Sequence, residues 1–142
     1  MKIARFSNNG GDPRFGIVDN DELVVLAGDP MFSGFDTTGE RVPLSAAKLL
    51  APVIPRSKVV AVGKNYREHA AEMGGEAPAE PLLFLKPNTA VIGPGDAIVL
   101  PPQSQQVEHE GELAIVIGSI ARNVPAKDAG QVIFGYTIAN DV

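Results

Sequence analysis

Glu108, Glu110 and Glu112 alternate through the segment 107–118, VEHEGELAIVIG, and an extended strand would turn all three carboxylates to one face. Carboxylates about 5 Å apart repel by roughly 3 kcal/mol at an effective dielectric of about 20, a penalty that a bound cation relieves. From Leu113 to Ile117 the segment is apolar on both faces. That is the pattern of a strand entering a core, and it places the acids at the mouth of a buried element. Asp141 closes the strand-like run 132–141, VIFGYTIAND, and can bring a further oxygen from the end of a neighbouring strand. Oxygen donors with open water positions suit Mg²⁺, or Mn²⁺ by the same hard-ligand logic. A charged strand face paired with lysines on its neighbour would give the same pattern without a metal.

A second group of residues offers proton chemistry. His69 and Glu72 stand three apart in a short helical stretch, so that the carboxylate can orient the imidazole and hold it as a general base. The same spacing also describes a solvated surface pair. Lys86 closes an apolar run just before Pro87, where its ammonium can meet a substrate carboxylate or simply reach for solvent. Arg67 can pair with an anionic substrate or remain a surface residue. His109 alternates with the glutamates and should face away from them, which favours a structural role. The chain has no cysteine, which excludes disulfides, thiolate metal sites and cysteine nucleophiles.

These residues need elements to position them. Residues 2–26 contain three short strand-like runs, KIARF, RFGIVD and ELVVL, separated by turn-forming SNNGGDP and DND, which describe a small meander. The stretch 28–43 has no periodicity, and 44–50 is expected to form one short helix before Pro52 and Pro55. A domain boundary is placed near Pro55, giving residues 1–55 and 56–142. Beyond it lie apolar β segments, KVVAVG (58–63), LLFLK (82–86), AIVLP (97–101), ELAIVIG (112–118) and 132–141. Between the first two a helix is expected, with Asn65 as its cap, Glu68 three residues later and Gly74-Gly75 at its end. At about two turns such a helix is marginal alone and a candidate lid. The fold class expected is α+β and β-rich.

Composition excludes several classes. The 142 residues carry a net charge of -5, and no basic cluster with interleaved aromatics interrupts the sequence, so nucleic acid is not an expected partner. No run approaches the roughly 20 apolar residues of a membrane span, and the opening lacks a signal-peptide pattern. A cytoplasmic protein without a membrane partner is expected. Gly93-Pro94-Gly95 precedes a strand-like run and reads as a turn, not as a phosphate loop.

The blocks VGKNYREHAAEMG, PLLFLKPNTAVIGPGDAIVLPP, VEHEGELAIVIG and FGYTIANDV, in this order from Val62 to Val142, resemble successive signatures of the fumarylacetoacetate hydrolase family. Residues 1 to about 55 resemble the small N-terminal β-rich domain of many bacterial members. The resemblance implies a mixed β-sandwich roll, usually in homodimers, with Mg²⁺ or Mn²⁺ bound by Glu110, Glu112 and Asp141 and Glu108 reduced to a flanking role. It implies that His69 and Glu72 activate water from a lid helix. The substrate would be a small 2-oxo or 1,3-dicarbonyl acid, turned over through a metal-stabilised enolate; Lys86 and Arg67, from the reading of the residues themselves, are the expected substrate contacts. Carbon–carbon hydrolysis of an acylpyruvate or fumarylacetoacetate type is the expected reaction, in aromatic-compound catabolism. Isomerisation of a 2-hydroxyhepta-2,4-diene-1,7-dioate, oxaloacetate decarboxylation or tautomerisation, and a metal-stabilised binding domain are the alternatives. The family block at the chain's end normally continues, so the 142 residues are expected to lack later substrate contacts, to leave an unfinished core and to be inactive on their own.

Overall fold

The computed structural model describes residues 1–72 and 74–142; Met73 of the VGKNYREHAAEMG block lies outside the described residues. Strands dominate, as the apolar, β-branched segments require, and every strand pairing in the described residues is antiparallel. The chain forms two compact units, one comprising residues 1–53 with 93–142 and the other residues 54–92.

In the first unit, β1 (Ile3–Asn8), β2 (Arg14–Asp19) and β3 (Glu22–Leu26) follow one another as the expected meander. Asn9 and Asn20 supply the left-handed backbone at the two turns, with φ of 50° and 53°. The sheet is wider than the sequence pattern implied. A four-residue helix, α1 (Pro30–Ser33), capped by the Asp29 carboxylate, leads into β4 (Thr37–Pro43), so the aperiodic stretch holds an edge strand. The expected helix over 44–50 is absent: a 3₁₀ turn at Leu44–Ala46 precedes β5 (Ala47–Leu50), which pairs with β1 from Asn8↔Ala47 to Arg5↔Leu50. Pairing with an open sheet edge outweighed the helical propensity of the segment. The strand order is β4-β3-β2-β1-β5, and Phe6, Leu23, Val25 and Val42 form its buried core, supported by Val18, Leu44 and Leu49. Arg14 forms a two-point pair with Glu40, and Arg41 bridges Asp19 and Glu22 across the exposed face.

The first unit also holds a two-stranded ribbon of β6 (Glu110–Ile117) and β7 (Ile133–Asp141). The second unit holds a second ribbon, β8 (Lys58–Gly63) with β9 (Leu82–Pro87), and between them α2 (Arg67–Glu72). The expected strand at 97–101 does not form. Val99 and Leu100 are 86% and 64% exposed, and Pro94, Pro101 and Pro102 remove the donors that a ladder would need.

Candidate functional site

Register decides where the carboxylates point. β6 and β7 pair from Glu110↔Asp141 through Glu112↔Ala139 to Leu113↔Ile138 and beyond. Glu110 and Asp141 are therefore direct cross-strand partners, and Glu112, two residues on, shares their face. Like charges at directly opposed positions destabilise a ladder, so this face favours a cation. Glu110 is exposed, while Glu112 and Asp141 are half-buried. Among the described residues no group of three or more His, Asp or Glu side chains stands close enough together to ligate a metal. The backbone positions and the all-oxygen donor set nevertheless fit a hard divalent ion approached from one face.

Asn140 was not singled out from the sequence, yet its side-chain oxygen accepts the Glu110 N–H at 2.9 Å. This bond holds the first residue of β6 against the end of β7. An Asn-Asp pair at a strand end was the available signal.

Two expectations about this strand are corrected. It begins at Glu110, not Val107, so Glu108 lies in the preceding loop, where it accepts the Gln106 amide at 2.7 Å. Nor does the apolar continuation enter a core formed by these residues. Leu113, Ile115 and Ile117 are 63%, 52% and 50% exposed, because among the described residues β6 pairs with β7 alone and the face opposite the carboxylates, shared with Tyr136 and Ile138, stays open.

In the second unit α2 carries His69 and Glu72, whose Nδ1 and Oε2 lie 3.7 Å apart, with 40% and 77% of each side chain exposed. Ala70, between them, is fully buried. The spacing thus produces the dyad on an open face while Ala70 seats the helix. The first helical bond runs from Ala70 N–H to the Tyr66 carbonyl at 2.9 Å, so Tyr66, not Asn65, flanks the first turn. The left-handed backbone of Lys64, φ 53°, closes the strand-to-helix turn and moves the start by one residue. Arg67 is the exposed first residue of α2. Lys86, half-buried on β9, holds its Nζ 5.9 Å from the Phe84 ring centroid, a cation–π contact along the strand.

A cavity of about 180 Å³ opens beside the turn into α2, with Lys64, Asn65 and Glu80 in its lining. A larger one, about 280 Å³, lies in the N-terminal sheet against Arg14, Leu26, Asp29 and Thr38. Its lining includes none of the candidate residues, so size alone does not mark the site.

Residues 58–142 match the family model described as fumarylacetoacetate (FAA) hydrolase C-terminal, and residues 1–52 match Rv2993c-like, N-terminal. Among curated proteins, Protein Rv2993c of Mycobacterium tuberculosis is 58% identical over 105 residues, covering 74% of this chain and 39% of the relative. The human mitochondrial oxaloacetate tautomerase FAHD2A is 46% identical over 101 residues, 71% of this chain and 32% of its own. The solved 5-carboxymethyl-2-hydroxymuconate delta-isomerase of Mycobacterium smegmatis superposes with a TM-score of 0.85 at 43% identity, over 99% of this chain and 54% of that one. Maleylpyruvate hydrolase from Sphingobium sp. SYK-6, solved with manganese(II) and pyruvate, superposes at 0.72 with 31% identity, over 99% and 58%. The chain thus spans about a third to a little over half the length of these relatives.

Proposed function

Since the chain belongs to the fumarylacetoacetate hydrolase family, we propose that it supplies the metal-binding face and the general base of an enzyme acting on small 2-oxo or 1,3-dicarbonyl acids. The observation that carries this reading is the register of Glu110 opposite Asp141, with Glu112 on the same face. Glu110, Glu112 and Asp141 would hold Mg²⁺ or Mn²⁺, and the manganese in the maleylpyruvate hydrolase structure supports that choice for this chain. When bound, such an ion supplies electrostatic stabilisation for an enolate oxygen of the substrate.

The rest is done by the chain's own residues. Glu72 orients the His69 ring through Nδ1, leaving Nε2 to take a proton from water or from substrate carbon. Lys86 and Arg67 are the cations proposed to hold the substrate carboxylate. A water deprotonated by His69 and attacking the distal carbonyl gives carbon–carbon hydrolysis. The higher identity of the isomerase and tautomerase relatives favours a second reading, in which His69 moves a proton and no bond between carbons breaks. We further propose a domain division near Pro55, a homodimeric state and a cytoplasmic setting; among the described residues no helix is long and apolar enough to cross a membrane.

The test is a panel of acylpyruvates, oxaloacetate and unsaturated 2-hydroxy dioates given to the complete enzyme with Mg²⁺, scored separately for hydrolysis, decarboxylation and proton shift. His69→Ala should lower the active reaction by about 10²- to 10⁴-fold. An unchanged rate removes His69 from the role of base.

A further inference from the structure

The ends of a two-stranded ribbon fray before its middle, and the candidate ligands sit at such an end. Glu110 is the first residue of β6 and Asp141 the last of β7. Glu110 stands between a loop and Gly111, which is exposed and has open space where a Cβ would lie. Glycine widens the conformations open to the backbone at that point. The pair also opposes itself, because carboxylates directly across a ladder push the strand ends apart until a cation joins them.

Asn140 works against this loosening. Its register partner is Gly111, yet its side-chain oxygen reaches diagonally to accept the Glu110 N–H at 2.9 Å. The residue before Asp141 is thereby tied to the backbone of Glu110, and one carboxamide joins the two ligand-bearing strands at their open end. Asparagine meets the N–H with an oxygen that carries no charge. Aspartate would offer an oxygen too, but would add a further carboxylate beside Glu110, Glu112 and Asp141. The bond is solvent-exposed, so its contribution to global stability is modest and its consequence is local.

We infer that Asn140 is a positioning residue: by anchoring the Glu110 backbone it holds Glu110 opposite Asp141 before an ion arrives, and so sets the affinity of this face for Mg²⁺ or Mn²⁺. Ligands already in place bind more tightly because their ordering is not drawn from the binding step, and the groups that orient ligands govern metal affinity strongly. The role rests on the ligand assignment above. In the complete enzyme, Asn140→Ala removes the acceptor, Asn140→Leu keeps the volume without it, and Asn140→Asp keeps an acceptor. In the metal-free protein, hydrogen exchange at the Glu110 amide should rise about two- to tenfold in the Ala and Leu variants, with little change in melting temperature. Their Mg²⁺ dissociation constant, measured by calorimetry, should rise about 10-fold. Asn140→Asp should restore protection at Glu110 and bind Mg²⁺ at least as tightly as the wild type. Unchanged exchange in Asn140→Ala overturns the anchor, as does an aspartate variant that stays unprotected. Raised exchange with an unchanged dissociation constant reduces the bond to a structural one and overturns the positioning role. A wild-type enzyme that binds neither Mg²⁺ nor Mn²⁺ overturns the ligand assignment and this role with it, a result told apart because the exchange measurement needs no metal.

Discussion

At the scale of single residues, the candidate chemistry depends on charge placed where it is uncomfortable. Glu110 and Asp141 face each other across a ladder with Glu112 beside them, an arrangement that repels itself without a counter-ion. Mg²⁺ at about 100 times its dissociation constant should therefore stabilise the protein by about 2.7 kcal/mol. Glu110→Gln and Glu112→Gln should each remove most of that gain, measured as the shift in melting temperature on adding the ion. Retention of the full shift in both would show that the ion binds elsewhere. The alternation of glutamates was plain in the sequence, and so was Asp141 as a further donor from a neighbouring strand, but the register that sets it directly opposite Glu110 was not, because strand pairing joins them across many intervening residues. Asn140, which holds the Glu110 backbone, gave no signal beyond its place before Asp141.

At the scale of elements, local pattern read well where side chains set the structure and poorly where pairing did. The meander of β1 to β3 follows from alternating apolar residues and asparagine turns. β5 does not, since residues 47–50 suit a helix until β1 offers an open edge. The ribbon of β6 and β7 depends on one close approach. A Cβ on Gly118 would fall 2.6 Å from the Phe134 Cβ, and the Phe134 ring stacks on Phe35 with centroids 6.4 Å apart. Gly118→Ala should cost about 1–3 kcal/mol by displacing Phe134, seen as a lower urea midpoint. A second substitution, Phe134→Gly, removes that Cβ and should relieve most of the added clash, so additive losses in the double variant would refute the contact.

At the scale of the whole molecule, exposed ion pairs make a modest contribution to acid behaviour. Hydrogen bonding to the Arg14 guanidinium holds the Glu40 carboxyl below its ordinary value of 4.5, and the Gly93 N–H followed by Lys48 lowers Asp96. A depressed carboxylate contributes stability above its unfolded pKa and loses it as pH falls through the folded one. Melting temperature should thus hold above pH about 4.5 and decline below it, and Glu40→Gln should flatten that decline; parallel curves would remove the pair from the explanation. The sequence by itself determined the residue types and their period: oxygen donors at alternate positions, a His-x-x-Glu step, β-rich segments and the family blocks that contain them. Only tertiary structure decided register, edge pairing and exposure, because these arise between residues distant in the chain. It opposed Glu110 to Asp141, converted the expected helix at 44–50 into a sheet edge, and left Leu113, Ile115 and Ile117 half open where apolar character alone had implied a core.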